Sequence, residues 1–146
     1  MEPISSVVGT RFPGGTYRID PVQNETVCRL LGARPAADGT AHAIYGYIAT
    51  RCGCGFGVDE ILAVADAKVE EGPMLASLDL DYRSALRVGE TYRVSGEFTS
   101  LERKQGRRAG AFDLLQFELR LTAPGDDGVV ACTQSWVLPR GNDEHA

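Results

Sequence analysis

From Ala43 to about Cys52 the chain reads as a helix that is apolar nearly all round, with Gly46 inside it and Gly53, Gly55 and Gly57 breaking it. A helix without a polar face has to be covered on every side. The second half of the chain can provide that cover. Leu75 to Tyr82 alternates, with Ala76, Leu78, Leu80 and Tyr82 on one face and Ser77, Asp79, Asp81 and then Arg83 on the other. Thr91 to Leu101 alternates again through Tyr92, Val94, Gly96 and Phe98, and Phe112–Leu121 and Val129–Leu138 read as two further strands. Turns separate them at Val88-Gly89-Glu90, at the hairpin tip Gln105–Gly110 and at Pro124–Gly128. Segregated helices and strands predict an α+β domain, an antiparallel sheet wrapped around the central helix.

The first third supplies the remaining pieces. Val7 to Ile19 reads as a loop entering a short strand. Asp20-Pro21 is a strong helix start, Asp as the N-cap and Pro at the first helical position. Val22, Val27, Leu30 and Leu31 continue with helical spacing to a stop at Gly32, and Asp59 to Ala67 is a second short helical pattern. At 146 residues we expect one domain spanning residues 1–146, with Gly141–Ala146 as a polar tail.

Several classes of function are disfavoured. A net charge of −5 argues against nucleic acid as the main partner, because phosphate binding needs a basic surface. No apolar run approaches the roughly 20 residues of a membrane span, and Met1–Ser6 lacks the basic and apolar regions of a signal peptide. Cys52 and Cys54 flank one glycine, too close for a CxxC redox or zinc motif, and Cys28 and Cys132 sit in apolar surroundings. We therefore expect free thiols in a reducing cytoplasm, no metal and no cofactor.

One histidine stands out. His145 lies in the polar tail, whereas His42 closes the loop Arg34–Ala41 and opens the apolar helical stretch. A helix start presents free backbone N–H groups. A histidine beside them can move protons next to a developing oxyanion. The alternative is a histidine that hydrogen-bonds the preceding loop. Asp38 either partners His42 or is the turn residue of Asp38-Gly39. Gly46 costs about 1 kcal/mol relative to alanine in a helix, so it calls for a packing or binding reason.

The chain resembles the MaoC-like dehydratase/hydratase branch of the hotdog fold. The resemblance rests on Val8-Gly9-Thr10-Arg11-Phe12-Pro13 leading to the Asp20-Pro21 helix, and on Gly39-Thr40-Ala41-His42 entering the central helix. It rests also on Asp81–Thr91 as a strand-turn-strand signature and on the closing strand Val129–Leu138. It covers roughly Val8 to Arg140. It implies a substrate that is an acyl thioester of coenzyme A or acyl carrier protein, and a reaction that hydrates enoyl or dehydrates 3-hydroxyacyl thioesters. On that resemblance His42 is the acid/base and Asp38 its partner, and N–H groups near Ala43 and Ile44 polarise the carbonyl. Tyr45, Gly46 and Tyr47 line an acyl tunnel, with Tyr45 and Tyr47 as core aromatics the alternative. Arg107 and Arg108, in the basic cluster with Arg103 and Lys104, meet carrier phosphates unless that cluster is a solvated turn. The resemblance also implies a dimer, with itself or with a related hotdog subunit, closing the open sheet edge.

The chain departs from the family's active motif. Asp38 and His42 stand one residue closer than the motif has them, the Asn-Pro pair is missing, and the helix begins almost at once. Two alternatives to a hydratase follow: a non-catalytic subunit that holds the acyl chain for a catalytic partner, and a thioesterase using a carboxylate and a helix-start oxyanion site.

Overall fold

The computed structural model describes residues 6–107 and 110–141; Arg108 and His145 lie outside them. Along the chain run β1 (Gly15–Arg18), α1 (Pro21–Leu30), α2 (Tyr45–Gly53), α3 (Val58–Val64), a 3₁₀ turn (Val69–Glu71), β2 (Met74–Tyr82), β3 (Thr91–Gln105), β4 (Ala111–Ala123) and β5 (Asp126–Gly141). The strands form one antiparallel sheet in the order β1-β3-β4-β5-β2. It curls around α2, which touches all five strands.

The apolar sequence of α2 is explained by its position. Tyr45 and Ala49 are fully buried, against a sheet face built from Val94, Phe98, Leu115, Phe117, Leu119 and Cys132. Phe12 enters this core from the loop before β1 and stacks on Phe98 at 4.6 Å, while Trp136 meets Phe117 edge-on at 5.4 Å. Truncating a ring such as Phe117 to alanine removes about 3–5 kcal/mol. Both ends of α2 approach the sheet through glycine. A Cβ on Gly53 would lie 2.6 Å from Val94, and one on Gly46 would overlap Tyr82.

The helix start at Asp20-Pro21 forms as expected, with Asp20 accepting the Gln23 N–H at 2.8 Å. The short helix α3 ends at Val64, and Arg140 secures that end. Its guanidinium donates to the carbonyls of Ala65 and Asp66 and to buried Asp113, which Arg103 also binds. The structure differs from the sequence expectation at several places. A bulge between Leu75 and Ser77 shifts the strand phase, so Leu75 lies opposite Trp136 and Leu78 opposite Gln134, and Ala76 is not in phase with them. The turn before the last strand is only Pro124-Gly125, because Asp126 already pairs with Ala123. Gly141, expected in the tail, closes β5 opposite Ala111; residues 142–146 lie outside the described residues.

The sheet is not covered everywhere. On β2, Leu75, Leu78, Leu80 and Tyr82 sit opposite β5 residues of the helix-facing side, yet Leu75 is 53% exposed and Leu78 41%. Among the described residues, strand β2 is an edge, hydrogen-bonded only to β5.

Candidate functional site

The loop before α2 is tied down by backbone pairing. The Ala41 N–H donates to the Leu86 carbonyl at 2.7 Å and the Val88 N–H to the Gly39 carbonyl at 2.9 Å, a Thr40–Arg87 bridge between them. From the other side, buried Asn24 of α1 accepts the His42 N–H at 2.9 Å. Sequence reading did not single out Asn24. Its only signal is a polar residue on the apolar side of α1, in line with Cys28 one turn on.

His42 is half-buried, and its ring is committed. Nδ1 accepts the Ile44 N–H at 3.0 Å, and the His42 carbonyl accepts the Tyr45 N–H at 3.1 Å. A nitrogen that accepts an N–H carries no proton, so the proton of the neutral ring is on Nε2. Among the described residues Nε2 has no partner. His42 thus offers a ligand one donor and no basic nitrogen while the Ile44 bond stands.

Asp38 is exposed and turned to its own loop. Its Oδ1 accepts the Thr40 N–H at 3.0 Å, an Asx turn. That bond, with the charge of Arg87 nearby, holds the carboxyl below the ordinary range. The Arg87 guanidinium donates to the Asp38 carbonyl at 2.5 Å. No hydrogen bond joins Asp38 to His42.

Most N–H groups of the helix start are used within the chain. Ile44 gives its N–H to His42, and Gly46 gives its N–H to the Ala43 carbonyl at 3.0 Å. Among the described residues, the Ala43 N–H alone of this turn is without a partner. The Ala43 carbonyl also accepts the hydroxyl of Tyr82, which burial shifts toward a higher pKa. Tyr82 was legible as an inward-facing strand residue; its place over the helix start was not, because it depends on how β2 crosses α2. Between Thr40, Ala41 and Ala43 on one side and Tyr82–Leu86 on the other opens a cleft of about 400 Å³, with Arg83 at its wall; His42 is not among the residues that line it.

The other expected ligand contacts separate. Tyr45 is core, its hydroxyl buried without a partner among the described residues and shifted upward by burial. Tyr47, half-buried, lines a second pocket of about 170 Å³ with Met74, Leu75, Gln134 and Trp136. Arg107 is exposed just past the end of β3. The helix entrance adjoins the other end of that 15-residue strand, up to about 45 Å away along the chain at roughly 3.3 Å per residue. Arg107 and the helix entrance thus lie toward opposite ends of β3. No group of His, Cys, Asp and Glu among the described residues could hold a metal ion.

No family model and no curated protein matches the chain. Solved structures do. A MaoC-like dehydratase from Rhodospirillum rubrum superposes with a TM-score of 0.63 at 13% identity, over 92% of this chain and 94% of that one. The HadBC complex of Mycobacterium tuberculosis, a 3R-hydroxyacyl-ACP dehydratase, gives 0.69 at 12% identity, over 90% and 96%. The ChsH1–ChsH2 complex from the same organism gives 0.69 at 15% identity, over 97% and 89%. The chain has the hotdog fold and shares it with MaoC-like dehydratases.

Proposed function

We propose that this chain is a single-domain hotdog subunit that binds an acyl thioester of coenzyme A or acyl carrier protein, and that a related hotdog subunit completes the catalytic pair. One observation carries the choice between a subunit and a self-sufficient enzyme: Nδ1 of His42 is occupied by the Ile44 N–H while Asp38 is bound to Thr40. Hydration of an enoyl thioester needs a base to take a proton from water and an acid to protonate the carbon next to the carbonyl. With Nδ1 occupied and its proton on Nε2, the neutral ring of His42 offers a hydrogen bond but supplies neither the base nor the acid.

The uncovered inner face of β2 supports a protein partner. An edge strand that exposes leucines on its core-facing side invites pairing with another chain. The HadBC and ChsH1–ChsH2 structures are themselves complexes. We place the pairing at β2, with a related subunit as partner and a homodimer as the alternative outcome. Four free cysteines fit a cytoplasmic chain, and no described helix is long and apolar enough to cross a membrane.

A second reading rests on the unpartnered Nε2 of His42: the chain alone hydrates enoyl or dehydrates 3-hydroxyacyl thioesters, with the Ile44 bond to Nδ1 released so that His42 takes the proton from water and returns it to the carbon next to the carbonyl. Hydrolysis of the thioester instead would need a carboxylate at the helix entrance, and Asp38 is turned to Thr40. Calorimetric titration with enoyl-CoA thioesters, with enoyl absorbance and thiol release followed in the same samples, separates these readings. A binding subunit gives heat of binding and no turnover. Hydration by the chain alone would establish the second reading, and absence of binding would overturn both.

A further inference from the structure

The pocket beside Tyr47 contains a group that an apolar tunnel does not need. Gln134 is 1% exposed and lines the pocket together with Tyr47, Val58, Pro73, Met74, Leu75 and Trp136. Its Oε1 accepts the indole N–H of Trp136 at 3.0 Å. Its Nε2 donates to the Cys132 thiol sulfur at 3.6 Å, a weak acceptor. A carboxamide has two N–H donors, and the second has no partner among the described residues. A buried donor left without an acceptor carries the full cost of its desolvation. Leucine with phenylalanine in place of Trp136 would fill the same space with no polar group to satisfy.

We infer that this pocket receives the far part of the acyl chain, and that the chain it selects carries an oxygen acceptor, keto or hydroxyl, for the free Gln134 N–H. The inference rests on the acyl-thioester reading and adds a substrate class to it. Tyr47 lies on the first turn of α2, next to the helix entrance, so a thioester held there leads its chain toward the pocket. The volume suits about six carbons, since a cavity of roughly 150 Å³ accommodates benzene. Aromatic and aliphatic walls around one directed donor are the usual composition of a selective small-molecule site. The donor distinguishes acyl chains by what they leave unpaired: an unsubstituted chain buries the amide N–H against carbon, an oxygenated one satisfies it.

The test uses matched pairs of acyl-CoA thioesters from six to twelve carbons, each pair an unsubstituted chain and its (ω−1)-oxo counterpart, titrated calorimetrically into the wild-type chain. We expect the oxo ligand to bind about tenfold more tightly at the best-fitting length, as one satisfied hydrogen bond would give. The variant Gln134→Leu with Trp136→Phe removes donor and acceptor together, leaves neither partner stranded, and should abolish the preference while keeping the unsubstituted ligand bound. Equal or tighter binding of the unsubstituted chain at every length overturns the inference and leaves the acyl-thioester reading intact. So does a preference that survives in the double variant. Binding of no ligand in the panel overturns the acyl-thioester reading and this inference with it.

Discussion

The Tyr82 hydroxyl lies over Gly46, in the space a side chain there would fill, and donates to the carbonyl of Ala43 three residues earlier. An edge strand is thereby fastened to the start of the buried helix. A Cβ on Gly46 would also sit 2.9 Å from Cζ of the ring, so the ring must move to admit one. Alanine is a better helix former than glycine by about 1 kcal/mol. We nevertheless expect Gly46→Ala to lower stability by about 1–3 kcal/mol, the usual cost of overpacking. In a urea-denaturation cycle with Tyr82→Ala, the two substitutions should couple by at least about 1 kcal/mol. Additive effects would mean that the two residues do not press on each other.

His42 can be tested as a cap separately from any role in catalysis. Asparagine offers an oxygen where His42 offers Nδ1, and can accept the N–H of the residue two on. His42→Asn should melt close to the wild type, whereas His42→Ala should lose about 1 kcal/mol. Equal losses in the two variants would show that the bond to Ile44 does not hold the helix start.

Much of this arrangement was open to sequence reading, and the rest fails for identifiable reasons. The alternation in β3 from Tyr92 to Phe98, the strand at Phe112–Leu121, the Asp20-Pro21 start and the all-apolar α2 are local patterns, and the structure follows them, a bulge after Phe98 then turning Leu101 inward. The bulge at Ala76 was hidden because Ala76 itself is apolar and kept the alternation intact on paper. His42 was recognised as the residue at the helix entrance, but its hydrogen bonds depend on Asn24, eighteen positions earlier. Tyr82 and Gln134 read only as strand residues, since their roles depend on which elements cross above them.

Asp113 predicts a dependence of stability on pH. Burial alone would push its carboxyl up, but hydrogen bonds and charge from Arg103 and Arg140 outweigh that and bring it below the ordinary value. A carboxyl depressed in the folded state stabilises the fold above its unfolded pKa, and that contribution disappears as pH falls through the folded value. We expect Asp113→Asn to cost about 3 kcal/mol at pH 7, because it leaves Arg140 without its buried partner. The gap between variant and wild type in urea melts should shrink between about pH 5 and pH 2. A gap constant over that range would show that the pair does not stabilise the fold.

The exposed inner face of β2 predicts association. Light scattering at micromolar concentration should find more than one chain per particle, or a related hotdog chain co-purified, and Leu78→Lys should reduce it to a monomer. A wild-type chain that is monomeric by itself and takes up no hotdog partner would contradict pairing at β2.

The most direct test is a calorimetric titration of the purified chain with octenoyl-CoA, with enoyl absorbance read in the same samples. We expect saturable binding without hydration, because His42 spends Nδ1 on Ile44 and Asp38 is turned away. Hydration by the chain alone that falls about a hundredfold or more in His42→Asn, the scale of a lost acid–base group, would contradict the subunit reading and make His42 a catalytic residue.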